Sequence, residues 1–108
     1  MSKKPVRVRR TAHRRAEAAV DRYSREAGLA VALDCIDALQ TTYRFISDHP
    51  GAGSPRYAIE LAIPGLRSRG LKRFPYLVFY VEHDDYIDVW HLLHAYSDVP
   101  AWMREPEG

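Results

Sequence analysis

The chain has 108 residues, enough for one domain with a single modest core. Its apolar fraction of 46% and charged fraction of 28% are those of an ordinary globular protein, and no apolar run is long enough to span a membrane. The formal net charge is only +2, yet nine of the sixteen Lys and Arg residues fall between Lys3 and Arg25, while Glu105 and Glu107 make the end of the chain acidic.

A basic stretch of this kind suits nucleic acid or an acidic protein partner, and it also suits a solvated helix face. The first sixteen residues are Arg-rich without acids, as in a mitochondrial transit peptide, but they read equally well as a strand followed by a helix. No apolar run stands behind the N-terminal charges, so no secretory signal is visible. One cysteine, Cys35, excludes an internal disulfide and fits a reducing, cytoplasmic setting. Its place in an apolar helical pattern reads as a small buried side chain.

Taken in chain order, Val6 and Val8 alternate with Arg7 and Arg9, the period-two pattern of a short edge strand. Thr11 is placed to cap a helix running to about Ala27, whose apolar stripe is Ala12, Ala16, Ala19, Val20 and Tyr23. Gly28 ends it, and a second helix spans 29–47, with Ala32, Ile36, Leu39, Tyr43 and Ile46 on one face. So short a break folds the two helices into an antiparallel hairpin. Residues 48–55 form a loop by their prolines and glycines. Alternation then predicts a strand over 57–63, a Pro64-Gly65 turn, a second strand region over 71–82 and a third over 86–94. The 71–82 region is apolar on both faces, as a central strand covered by helices would be. The polar His83-Asp84-Asp85 turn makes its two flanking strands antiparallel partners. The expectation is one α+β domain over 1–108: an N-terminal strand, then a two-helix antiparallel hairpin packed on an antiparallel sheet that ends in a three-strand meander.

The second half carries an ordered string of motifs. Gly53-Ser54-Pro55-Arg56-Tyr57 is followed by Ile63-Pro64-Gly65-Leu66-Arg67. Lys72-Arg73-Phe74-Pro75-Tyr76 leads into Leu77-Val78-Phe79-Tyr80, and Asp85-Tyr86-Ile87-Asp88-Val89-Trp90 into His91-Leu92-Leu93-His94. Ser97-Asp98-Val99-Pro100-Ala101-Trp102-Met103 closes the series. Over residues 53–103 this resembles the ParE-like branch of the RelE/ParE toxin superfamily. The resemblance implies the toxin half of a type II toxin–antitoxin pair, of the kind that stabilises plasmids, acting in the cytoplasm without a cofactor. It implies a cognate antitoxin that wraps the toxin in a hetero-oligomer, and DNA gyrase as target. RelE relatives instead cut messenger RNA in the ribosome without a metal. A toxin-fold protein that is no longer toxic and serves only as antitoxin partner is the third reading.

Metal-free RNA cleavage needs a base, an acid and a cation for the phosphorane charge. Arg67, Lys72 and Arg73 are the candidate cations, and His91, His94 and Tyr96 the candidate acid–base groups. Family members often carry Arg where His91 and Ser97 stand, so the last strand here lacks the phosphate clamp. Strand alternation puts His91 with Val89 and Leu93 and turns His94 the other way, so the two imidazoles do not pair. A metal site is not expected: His83, Asp84, Asp85 and Asp88 read as turn chemistry, and the remaining histidines lack ligand spacing. The chain has no dinucleotide loop, because Gly51-Ala52-Gly53 follows a helix. Both readings thus point to a binder more than an enzyme. The candidate partner-binding residues are Arg7, Arg9, Arg14 and Arg15 in the basic stretch, and Trp102, which either closes the core or lines an antitoxin groove.

Overall fold

The computed structural model describes residues 3–103, without the Trp102 side chain. A short strand, β1 (Val6–Val8), leads into helices α1 (Arg10–Ala27) and α2 (Leu29–Asp48). A 3-10 turn at Pro50–Ala52 and a six-residue helix α3 (Arg56–Leu61) follow. Strands β2 (Leu66–Gly70), β3 (Tyr76–Glu82) and β4 (Ile87–His94) come next, then the short helix α4 (Val99–Met103). The sheet order is β1-β4-β3-β2, with β1 parallel to β4 and the remaining pairs antiparallel.

The helix hairpin forms as its spacing predicts. Gly28, at φ +93°, supplies the sharp break between α1 and α2, a conformation that side chains with a Cβ avoid. Ala12 from α1 and Cys35, Leu39 and Ile46 from α2 pack onto Val78, Tyr80, Val89 and Leu92 of the sheet. The capping expectation at Thr11 is corrected: α1 starts at Arg10 behind Arg9, and no side chain caps it.

The stretch 57–63 is not a strand. Tyr57 and Leu61, four residues apart, face a second core cluster as one side of α3, and Ile59 is 83% exposed. Spacing of four satisfies both periods over so short a run, which is why alternation misleads here. Ala62 ends the helix in the left-handed region, its N–H bonded to the Ala58 and Ile59 carbonyls. The first strand of the meander is instead β2, where Leu66 and Ser68 turn inward and Arg67 and Arg69 turn to the other face. Its polar sequence hides it from a hydrophobicity pattern. The expected 71–82 strand starts only at Tyr76. Residues 71–75 form a turn, with Arg73 at φ +73°.

The second face of the sheet is covered by α3 and α4: Tyr57 and Val99 pack with Leu66, Phe79 and Leu93. Strand β3 is therefore central and apolar on both sides, as its sequence predicts. Between Phe79 and Tyr80 the β3–β4 register shifts, so Phe79 pairs with His91 and Tyr80 with Val89, leaving Trp90 as the extra residue of a bulge. The bulge inverts the alternation. Val89 faces the helix hairpin, whereas His91 goes with Leu93 to the second face, correcting the expected grouping of His91 with Val89.

Candidate functional site

Three surfaces hold the residues of interest. The first is the β1 edge. Parallel pairing sets Arg7 beside Asp88, and the chain leaving β1 brings Arg9 to the same carboxylate. Arg9 donates from Nε to Asp88 Oδ1 at 2.9 Å and from Nη2 to Oδ2 at 2.8 Å. The Trp90 indole N–H donates to Oδ2 at 3.1 Å, and the Arg9 guanidinium lies over the Trp90 ring at 4.6 Å. Burial pushes the Asp88 carboxyl up, but the Arg9 bonds and charge, the Trp90 N–H and nearby His83 outweigh it and hold the carboxyl below its ordinary value. Beside this hub Arg7 stacks on Tyr86 at 4.5 Å, and Tyr86 stacks on His83 at 4.7 Å. Lys4 donates to Glu82 at 2.7 Å and to the His83 carbonyl at 2.8 Å. Arg9 is thus bound up in an internal clamp, while Arg7 presents an exposed cation. The reading of Asp88 as turn chemistry is corrected, because it lies within β4, buried and paired with Arg9. The available signal was a carboxylate, Asp88, inside an otherwise apolar strand, where a charge persists only if paired.

The second surface lies along α1. Arg14 is exposed, and Arg15 is half-buried at a cleft of about 280 Å³ between α1 and the sheet, which Arg22, Tyr76, Leu92 and His94 also line. The four nominated arginines therefore divide between two places, the β1 edge and the α1 flank. The Trp102 side chain lies outside the described residues.

The third is the set of candidate catalytic residues, and the fold disperses it. Arg67 turns to the helix-hairpin face, where Nη1 donates to the Gly53 carbonyl at 2.8 Å. Lys72 and Arg73 sit in the β2–β3 turn against α2, with Arg73 3.8 Å from Asp34. His91 is 4% exposed on the opposite face. His94 packs edge-on against Tyr76 at 5.3 Å, and its Nδ1 accepts the Tyr96 N–H at 3.2 Å, which leaves the proton of a neutral ring on Nε2. Tyr96 is 88% exposed. Arg67 and His91 have the sheet between them, Lys72 and Arg73 are adjacent in the β2–β3 turn, and His94 and Tyr96 are neighbours after β4. Among the described residues no group of three or more His, Cys, Asp or Glu side chains is placed to hold a metal ion, and no helix is long and apolar enough to cross a membrane.

The described residues thus form a helix hairpin on one face of a small mixed sheet that has a charged parallel edge strand. The family model for the ParE toxin of the type II toxin–antitoxin system, parDE, matches residues 6–99, and the chain belongs to that family. Its fold is similar to that of a solved chain described as the chromosomal ParDE TA system from P. aeruginosa, with a TM-score of 0.70 and 20% sequence identity. The match covers 85% of this chain and 96% of that one. No curated protein matches the chain.

Proposed function

We propose that the protein is a cytoplasmic toxin that acts by binding DNA gyrase rather than by cutting RNA, and that a cognate antitoxin neutralises it in a hetero-oligomer. The observation that carries this reading is the dispersal of the candidate catalytic set within a ParE-family chain. A phosphorane transition state requires its cation and its acid–base groups within hydrogen-bond reach of one phosphate. Here the sheet separates Arg67 from His91, and Lys72 and Arg73 lie against α2.

The antitoxin reading draws on surface chemistry. Arg7 and Arg14 are exposed cations near the N-terminus of the fold, and Leu29 and Leu33 are exposed apolar side chains along α2. An acidic amphipathic segment complements such a surface. Expression of the toxin without its antitoxin tests the proposal. Gyrase-dependent DNA breaks support it, and codon-periodic cuts in translating messages overturn it.

A further inference from the structure

The cleft between α1 and the sheet is assigned no role by the toxin reading. It is lined from one side by Arg15 and Arg22, two successive turns apart on one flank of α1. The opposite side is aromatic: Tyr76 from β3 and His94 from β4, with Leu92 as an apolar floor and Ala18 leaving room on the helix. Tyr96 does not line the cleft itself but stands 5.5 Å from the His94 ring that does, and it is almost fully solvent-exposed. The Tyr96 N–H occupies His94 Nδ1, so Nε2 is the position left to donate. Arg22 reaches Glu26 at 3.9 Å, an exposed helical pair whose exchange for another anion costs little.

From this pairing of cations on one wall with rings on the other we infer that the cleft binds a nucleotide, with its phosphate toward Arg22 and Arg15 and its base against Tyr96 and His94. A simple anion uses the arginines but leaves the rings idle. An acidic peptide likewise supplies charge without a planar group to stack. A nucleotide supplies both: guanidinium forks match phosphate oxygens, and every base has a π-face for an exposed aromatic. At about 280 Å³ the cleft is below the usual size of a pocket that encloses its ligand, so the affinity is modest. It lies on the helix-hairpin side of the sheet, away from His91 on the opposite face. A free nucleotide and the terminal nucleotide of a single strand share this chemistry.

Titration of the full chain with ADP, adenosine, inorganic phosphate and a 5′-phosphorylated oligothymidylate, followed by chemical-shift changes, tests the inference. ADP is expected to saturate near about 1 mM, with adenosine and inorganic phosphate each at least about tenfold weaker. Arg22→Gln and Tyr96→Ala, both at exposed positions whose substitution leaves the melting temperature unchanged, should each weaken ADP at least about fivefold. An oligothymidylate that binds more than about tenfold tighter than ADP identifies a strand end as the ligand, and equal or weaker binding identifies the free nucleotide. The inference is overturned if neither probe saturates below about 10 mM, or if both variants bind as the parent does.

Discussion

Arg9 and Asp88 meet side by side in a two-pronged ion pair, 2.9 and 2.8 Å, that joins the start of α1 to the start of β4. Asp88 is 7% exposed and takes a third hydrogen bond from Trp90, so losing its charge leaves a half-buried guanidinium without its counter-ion. Asp88→Asn should destabilise the fold by roughly 2–3 kcal/mol, less than for a fully buried pair because Arg9 keeps partial access to water. Urea denaturation measures it.

The same pair predicts an acid limb. The folded-state carboxyl sits below its ordinary value of 3.8, so the unfolded chain takes up the proton first. The contribution is complete above about pH 4–5 and is lost as pH falls through the depressed folded value. Stability of the parent should fall below about pH 4 more steeply than that of Asp88→Asn, and equal slopes would place the acid sensitivity elsewhere.

A second clamp holds the loop after α2. The Tyr80 hydroxyl donates to the Pro50 carbonyl at 2.7 Å and accepts the Gly53 N–H at 3.1 Å, and a Cβ built on Gly53 would overlap that hydroxyl. Gly53→Ala should cost about 1–3 kcal/mol through overpacking, and Tyr80→Phe about 1–2 kcal/mol through its two lost bonds. The double variant should cost less than the sum, because removing the hydroxyl relieves part of the overlap. Strict additivity in thermal melts would contradict the clamp.

The periodic elements were legible in the sequence, and the local exceptions were not. The helix hairpin followed from Ala12 to Ile46 because its apolar positions recur over many turns. Over 57–63 the run was too short to separate spacing of two from spacing of four, and tertiary burial of Tyr57 decided for helix. Strand β2 carries Arg-Ser-Arg at its centre and is held by pairing with β3, a non-local cause that no window along the chain contains. The Trp90 bulge had the same effect on the candidate site. One unpaired residue put Val89 on the hairpin side, away from His91 and Leu93, while leaving His91 and His94 on opposite faces. The basic stretch was visible, but its division into a clamp at Arg9, an exposed Arg7 and a cleft at Arg15 depends on Asp88, Tyr86 and Tyr76, all far along the chain.

Cys35 is fully buried between α2 and the sheet, and burial raises its thiol pKa. It should react with a thiol reagent only as the chain unfolds, so labelling should slow in step with added stability. Rapid labelling under native conditions would contradict this packing.

Exposed cations are the ones available to a partner. Arg7→Glu with Arg14→Glu should weaken antitoxin or target binding about tenfold or more at low salt and less at high salt, with melting changed by only a few degrees. Unchanged affinity for both would reduce the basic stretch to solvation.

The direct test of the central reading sets His91→Gln and the parent side by side in a purified supercoiling reaction with DNA gyrase and in a translating extract. The parent should inhibit gyrase, and His91→Gln, which keeps a polar side chain of similar reach at the buried site, should inhibit it equally, with messages intact in both cases. Cleavage of messages by the parent, abolished in a folded His91→Gln protein, together with unaffected gyrase, would contradict the account.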